Sequence, residues 1–112
     1  MWLVRGNDVL ASLEVASSRS ARRRGLLGRN GIDGALLLQP ARSVHTLGMR
    51  FPIDVAHLDA ELVVLRLSTM PPWRLGTPVR GARCVVEAEA GSFERWRLAV
   101  GDQLEVRGPG VG

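Results

Sequence analysis

The stretch "PIDVAHLDAELVVLRLS", Pro52 to Ser68, decides the fold. Two runs rich in Val, Ile and Leu, "PIDVAHL" and "LVVLRLS", flank Asp59-Ala60-Glu61, and this arrangement predicts a β-hairpin. Successive side chains on a strand point to opposite faces. Asp54 therefore shares a face with Ala56 and Leu58, while Ile53, Val55 and His57 share the other. If the Ala56 and Leu58 face turns inward, Asp54 points into the core or into the mouth of a pocket.

Short elements surround the hairpin. "WLVRGNDVLASLEV" reads as two strands around a Gly6-Asn7-Asp8 turn. "SSRSARRRGLLGR" predicts the one main helix, about residues 18–27, with Ser17 or Ser18 as N-cap and Gly28 as its stop. Gly25 inside that helix costs about 1 kcal/mol relative to Ala, which points to a close approach by a neighbouring element. "GALLLQP" is a strand stopped by Pro40, and "RCVVEAEAG" is another. Residues 69–82, "TMPPWRLGTPVRGA", form an ordered irregular loop of a length that often serves function. Phe93 and Trp96 are spaced to pack together in a short helix at most, and "GDQLEV" adds a last strand. The expected fold is α+β: a β-rich single domain over residues 1–107, built on a curved antiparallel or mixed sheet or a small barrel. Residues 108–112 are expected as a flexible C-terminal tail.

With 112 residues, 46% hydrophobic and 23% charged, the chain is long enough to bury a core without metal or disulfides. The single cysteine, Cys84, excludes an internal disulfide and fits a reducing compartment. Arg5, Asn7 and Asp8 interrupt any signal-peptide core, and no run approaches a membrane span, so a cytoplasmic location without membrane insertion is expected. All 15 basic residues are Arg, a pattern that fits GC-rich coding as well as anion binding.

Taken in order, "RRRGLLGR", "HTLGMRFPIDVAHLD", "VVEAEAG" and "LAVGDQLEV" resemble the family catalogued as domain of unknown function 192, over about Leu10 to Val106. Asp54, Asp59, Glu87, Gly91, Gly101 and Asp102 fall on matching positions. The family's larger branch has Trp-Met-x-Asn-Thr ahead of Pro-Leu-Asp, where this chain has His45-Thr46 and Gly48-Met49 ahead of Pro52-Ile53-Asp54. The resemblance implies a compact β-rich domain with no assigned biochemical activity.

Candidate chemistry gathers in "SVHTLGMRFPID", residues 43–54. Asp54 reads either as a clasp that accepts backbone N–H bonds or as an acceptor or base in a small cleft. His45 could shuttle a proton beside it, with Thr46 adjacent. Glu87 could pair with Arg29 or line the same cleft, and Trp73, on a stiff Pro-rich loop, could anchor a ligand or partner. The candidate ligand-binding set is thus His45, Thr46, Asp54, Trp73 and Glu87. Met49 reads as core filler, Cys84 as a buried thiol and His57 as an edge histidine. A metal reading would draw on His45, Met49, Asp54 and Glu87. No paired Cys or His ligand spacing supports it, so neither metal nor cofactor is expected.

Three function classes follow. The leading expectation is a binding or accessory module for a small molecule or protein partner, with its cleft around residues 45–54 and activity otherwise unknown. The second is a small acid–base enzyme using His45 and Asp54. The third is contact with nucleic acid through Arg19, Arg22 and Arg23 on one helical face; the scarcity of aromatic stacking platforms disfavours it.

Overall fold

The computed structural model describes residues 1–108; the expectation for the tail beyond Gly108 lies outside the described residues. The strands are β1 (Trp2–Arg5), β2 (Asp8–Ala16), β3 (Ala35–Leu38), β4 (Ile53–Leu58), β5 (Val64–Met70), β6 (Cys84–Glu89) and β7 (Glu105–Arg107), with helices α1 (Arg19–Arg24) and α2 (Ser92–Arg95). They form one mixed sheet in the order β5-β4-β6-β3-β2-β1-β7, in which only β2 and β3 run parallel.

The sheet curls until its ends meet. Val63 bridges Gln103, the Val64 N–H donates to the Asp102 carbonyl at 2.8 Å, and the Leu104 N–H donates to the Leu62 carbonyl at 2.9 Å. These bonds tie the start of β5 to the chain entering β7 and close a small barrel, which leaves fewer free strand edges. The interior holds Leu3, Leu13, Leu37, Ala56, Leu58, Val86 and Leu104, and Phe93 and Leu98 plug one end. The rings of Phe93 and Trp96 lie 5.4 Å apart.

A second apolar layer covers the outer face of the middle strands. Leu36, Leu38, Ile53, Val55 and Val85 are buried there beneath Leu26, Ile32, Met49 and Met70. Strands β3, β4 and β6 are therefore buried on both faces, which explains their near-continuous apolar sequence. The cover consists of α1 with the segment that follows it, residues 25–34, and two long connections, residues 39–52 and 71–83. The connections run alongside each other: Ala41 N–H donates to the Arg83 carbonyl, Gly76 N–H to the Val44 carbonyl and Thr46 N–H to the Arg74 carbonyl.

Helix α1 is shorter than the sequence pattern predicts. Ser18 caps it, its Oγ accepting from the Ala21 N–H at 3.1 Å. Gly25, at φ +49°, ends it a turn before Gly28. The break turns Leu26 down onto the sheet, where it is almost fully buried. Gly25 thus serves as a stop, and the close approach its cost implied is real: a Cβ there would lie 3.3 Å from Glu87 Oε1.

Candidate functional site

Glu87 is opposite Leu36 on β3 and Val55 on β4, so register alone turns its side chain to the outer face, among apolar neighbours. Its residue surface is only 3% exposed. Among the described residues it makes no hydrogen bond and no ion pair. A carboxyl held this way resists ionisation. Burial pushes its pKa up to about 7, against a smaller opposing pull from the Arg29 charge. Arg29 does not pair with it. Both guanidinium nitrogens of Arg29 donate to the Glu14 carboxylate, at 3.2 and 2.8 Å.

Glu87 sits at the bottom of a cleft of about 350 Å³ between α1 and residues 40–49. Leu26, Leu38, Val44 and Met49 supply apolar walls, and Arg19, Arg22, Arg23 and Arg24 supply a basic one. Ser43 and His45 complete the rim. His45 is exposed, and its Nδ1 accepts from the Leu47 N–H at 3.2 Å. The absence of a side chain at Gly25 leaves the way open from the cleft to the carboxyl.

The structure thus brings His45 and Glu87 into one cleft and places Thr46, Asp54 and Trp73 elsewhere. Asp54 lies opposite Ala88 and faces the other side of the sheet from Glu87. There Oδ1 accepts from Thr69 Oγ1 at 2.8 Å, and Oδ2 accepts from the Gly91 and Phe93 N–H groups at 3.0 and 3.1 Å. It therefore holds the start of α2 and lies apart from His45. Trp73, with φ +65°, is 66% exposed on the outer loop and lines none of the cleft.

Thr46 is fully buried and joins the two long connections. Its Oγ1 donates to the Pro71 carbonyl at 2.6 Å and accepts from the Arg74 N–H at 2.9 Å. Thr46→Val keeps the shape but strands a buried donor and acceptor, so it should lower the unfolding free energy by about 2 kcal/mol in a urea titration. Faster hydrogen exchange at the Arg74 amide would accompany that loss.

Two further residues depart from or extend the sequence reading. His57, expected at an edge, is buried on β4 with neither ring nitrogen hydrogen-bonded among the described residues, and burial together with the Arg66 charge lowers its pKa. It is buried because the 71–77 loop folds over its strand, a long-range event invisible in local sequence. Cys84 is buried in the barrel interior, where burial pushes its thiol up to about 11. Among the described residues no three His, Cys, Asp or Glu side chains converge as metal ligands. No helix among them is long and apolar enough to cross a membrane. Sequence reasoning missed the cleft's true walls, although the arginine cluster and the costly Gly25 were both signals of it.

The chain matches the family described as uncharacterized ACR, domain of unknown function 192, over residues 3–106. The chain belongs to this family. A UPF0127 protein of Pyrococcus furiosus is 32% identical over 108 residues, spanning 92% of this chain and 93% of its own length. A second UPF0127 protein, from Pyrococcus abyssi, is 30% identical over 98 residues, covering 83% of this chain and 84% of its own. The crystal structure of a protein of unknown function from Novosphingobium aromaticivorans superposes with a TM-score of 0.81 at 19% identity, covering 93% of this chain and 82% of that one. That likeness concerns the fold alone. The family is described as uncharacterized, and the solved neighbour shares the architecture alone.

Proposed function

We propose that this domain is a small-ligand-binding module whose site is the cleft between α1 and residues 40–49. The observation that carries this reading is Glu87: a nearly buried carboxyl without a protein partner, at the base of a cleft walled by leucines and arginines. The Glu87 oxygens are not sealed in the core; they open onto the cleft, where a ligand can reach them. A desolvated carboxyl at the floor of an apolar cleft marks a candidate binding site.

The test is an NMR titration of the isotopically labelled protein with small amphipathic acids, amines and alcohols. Saturable shifts should cluster at the amides of Gly25, Leu27 and residues 43–47. They should vanish in Ser43→Trp, which fills the rim from an exposed position and should leave the fold intact. If no compound moves these amides in the wild-type protein, the reading fails.

A further inference from the structure

We propose that the cleft takes a small amphipathic oxyanion, a carboxylate with a short apolar tail, whose charged end lies between the arginines of α1 and a protonated Glu87. This inference rests on the binding reading above and adds the class of ligand and a proton that binds with it.

The charges decide the sign of the ligand. Arg19, Arg22, Arg23 and Arg24 line the cleft from α1, His45 stands on the opposite rim, and Arg29 acts on Glu87 from beyond. On this face β3 and β4 bring Leu36, Leu38, Ile53, Val55 and the buried His57, while Glu14, opposite Leu36 on β2, is already paired with Arg29. A cationic ligand would have to pass four guanidinium groups to reach one carboxyl. An anion is attracted by the same groups, and Arg pairs well with carboxylates.

An ionised Glu87 would repel that anion, whereas its neutral acid donates an O–H to it. Burial already holds this carboxyl near half-protonation at neutral pH, with a pKa of about 7, so the proton is available at little cost. The walls of Leu26, Leu38, Val44 and Met49 favour an aliphatic or aromatic tail over a sugar or a free inorganic ion. Gly25 keeps this floor accessible. At φ +49° it tolerates the chain reversal, and any side chain would crowd Glu87 Oε1.

The experiment is calorimetric or NMR titration with hexanoate, which stays ionised from pH 6 to 8.5, and with hexylammonium as the opposite-charge probe. Affinity for a protonated-only state scales with its population. Hexanoate should therefore bind about 30-fold more tightly at pH 6 than at pH 8.5, given a Glu87 pKa of about 7. Glu87→Gln, a fixed hydrogen-bond donor of the same shape, should bind hexanoate at both pH values with affinities within about twofold of each other. Hexylammonium should not compete.

A pH dependence that persists in Glu87→Gln would come from another group and would overturn the assignment. Preference for hexylammonium, or pH-independent hexanoate binding in the wild type, would do the same. If neither probe binds while other compounds still shift the cleft amides, the oxyanion inference fails and the binding reading survives. If nothing shifts them, both fail.

Discussion

Glu87→Gln should raise the unfolding free energy by about 3 kcal/mol at pH 8.5 and by less than about 1 kcal/mol at pH 5. In the folded protein burial lifts the carboxyl from 4.5 to about 7, so between those values the folded state holds a proton that the unfolded chain releases. Stability of the wild type then falls as pH climbs through this window, because ionising the folded protein requires charge on a buried, unpaired group. Gln cannot ionise and escapes the loss. Urea titrations of both proteins at the two pH values measure the difference directly. A difference that does not change with pH would show that Glu87 ionises in the folded protein as easily as in water, and would remove the support for a group held at a cost to the fold. His57 acts in the opposite sense, since its folded pKa is lowered and stability falls as pH drops below 6.5. It is common to both proteins and cancels in their comparison.

Asp54→Ala should destabilise the fold by about 3–5 kcal/mol, while Asp54→Asn should cost only about 1–2 kcal/mol. Helix α2 has Gly91 at its N-cap, which brings no side chain to the exposed N–H groups of the first turn. The Asp54 carboxylate, from a strand 37 residues earlier, satisfies the Gly91 N–H and reaches Phe93 as well. Removing it strands those two donors and the Thr69 hydroxyl around a buried gap. Asn keeps an oxygen for the backbone pair, and the Thr69 hydroxyl can rotate to accept from the new amide. Loss of the charge-assisted component is all that remains. The ordering Ala below Asn below wild type, measured by chemical denaturation, tests a clasp. Equal stability of all three proteins would show that α2 does not depend on Asp54.

These two carboxylates illustrate how far local sequence carries. Both fall in apolar runs, and both stand out as group types that a core accepts only under special terms. The alternation around Asp54 places it with Ala56 and Leu58, and the alternation around Glu87 places it with Val85. What alternation cannot supply is how β4 and β6, separated by residues 59–83, are registered. Pairing Val55 with Glu87 and Asp54 with Ala88 sends the two carboxylates to opposite faces, one to a helix start and the other to a cleft. A slip of one residue would have reunited them.

By itself, then, the sequence determined what short-range physics controls. That includes the hairpin of Pro52 to Ser68, the turn at Gly6-Asn7, a serine cap at Ser17 or Ser18, the stop at Pro40 and the β-rich character of the whole. Each follows from backbone preference or from a periodicity of two within a few residues. Only the tertiary structure decided where α1 ends, how the two long connections fasten at Thr46, and how Val63 and Gln103 close the barrel. It also decided which polar side chains meet partners and which are left facing a cleft. Those outcomes depend on hydrogen bonds and packing between segments tens of residues apart, where the energy of the whole arrangement outweighs any local preference.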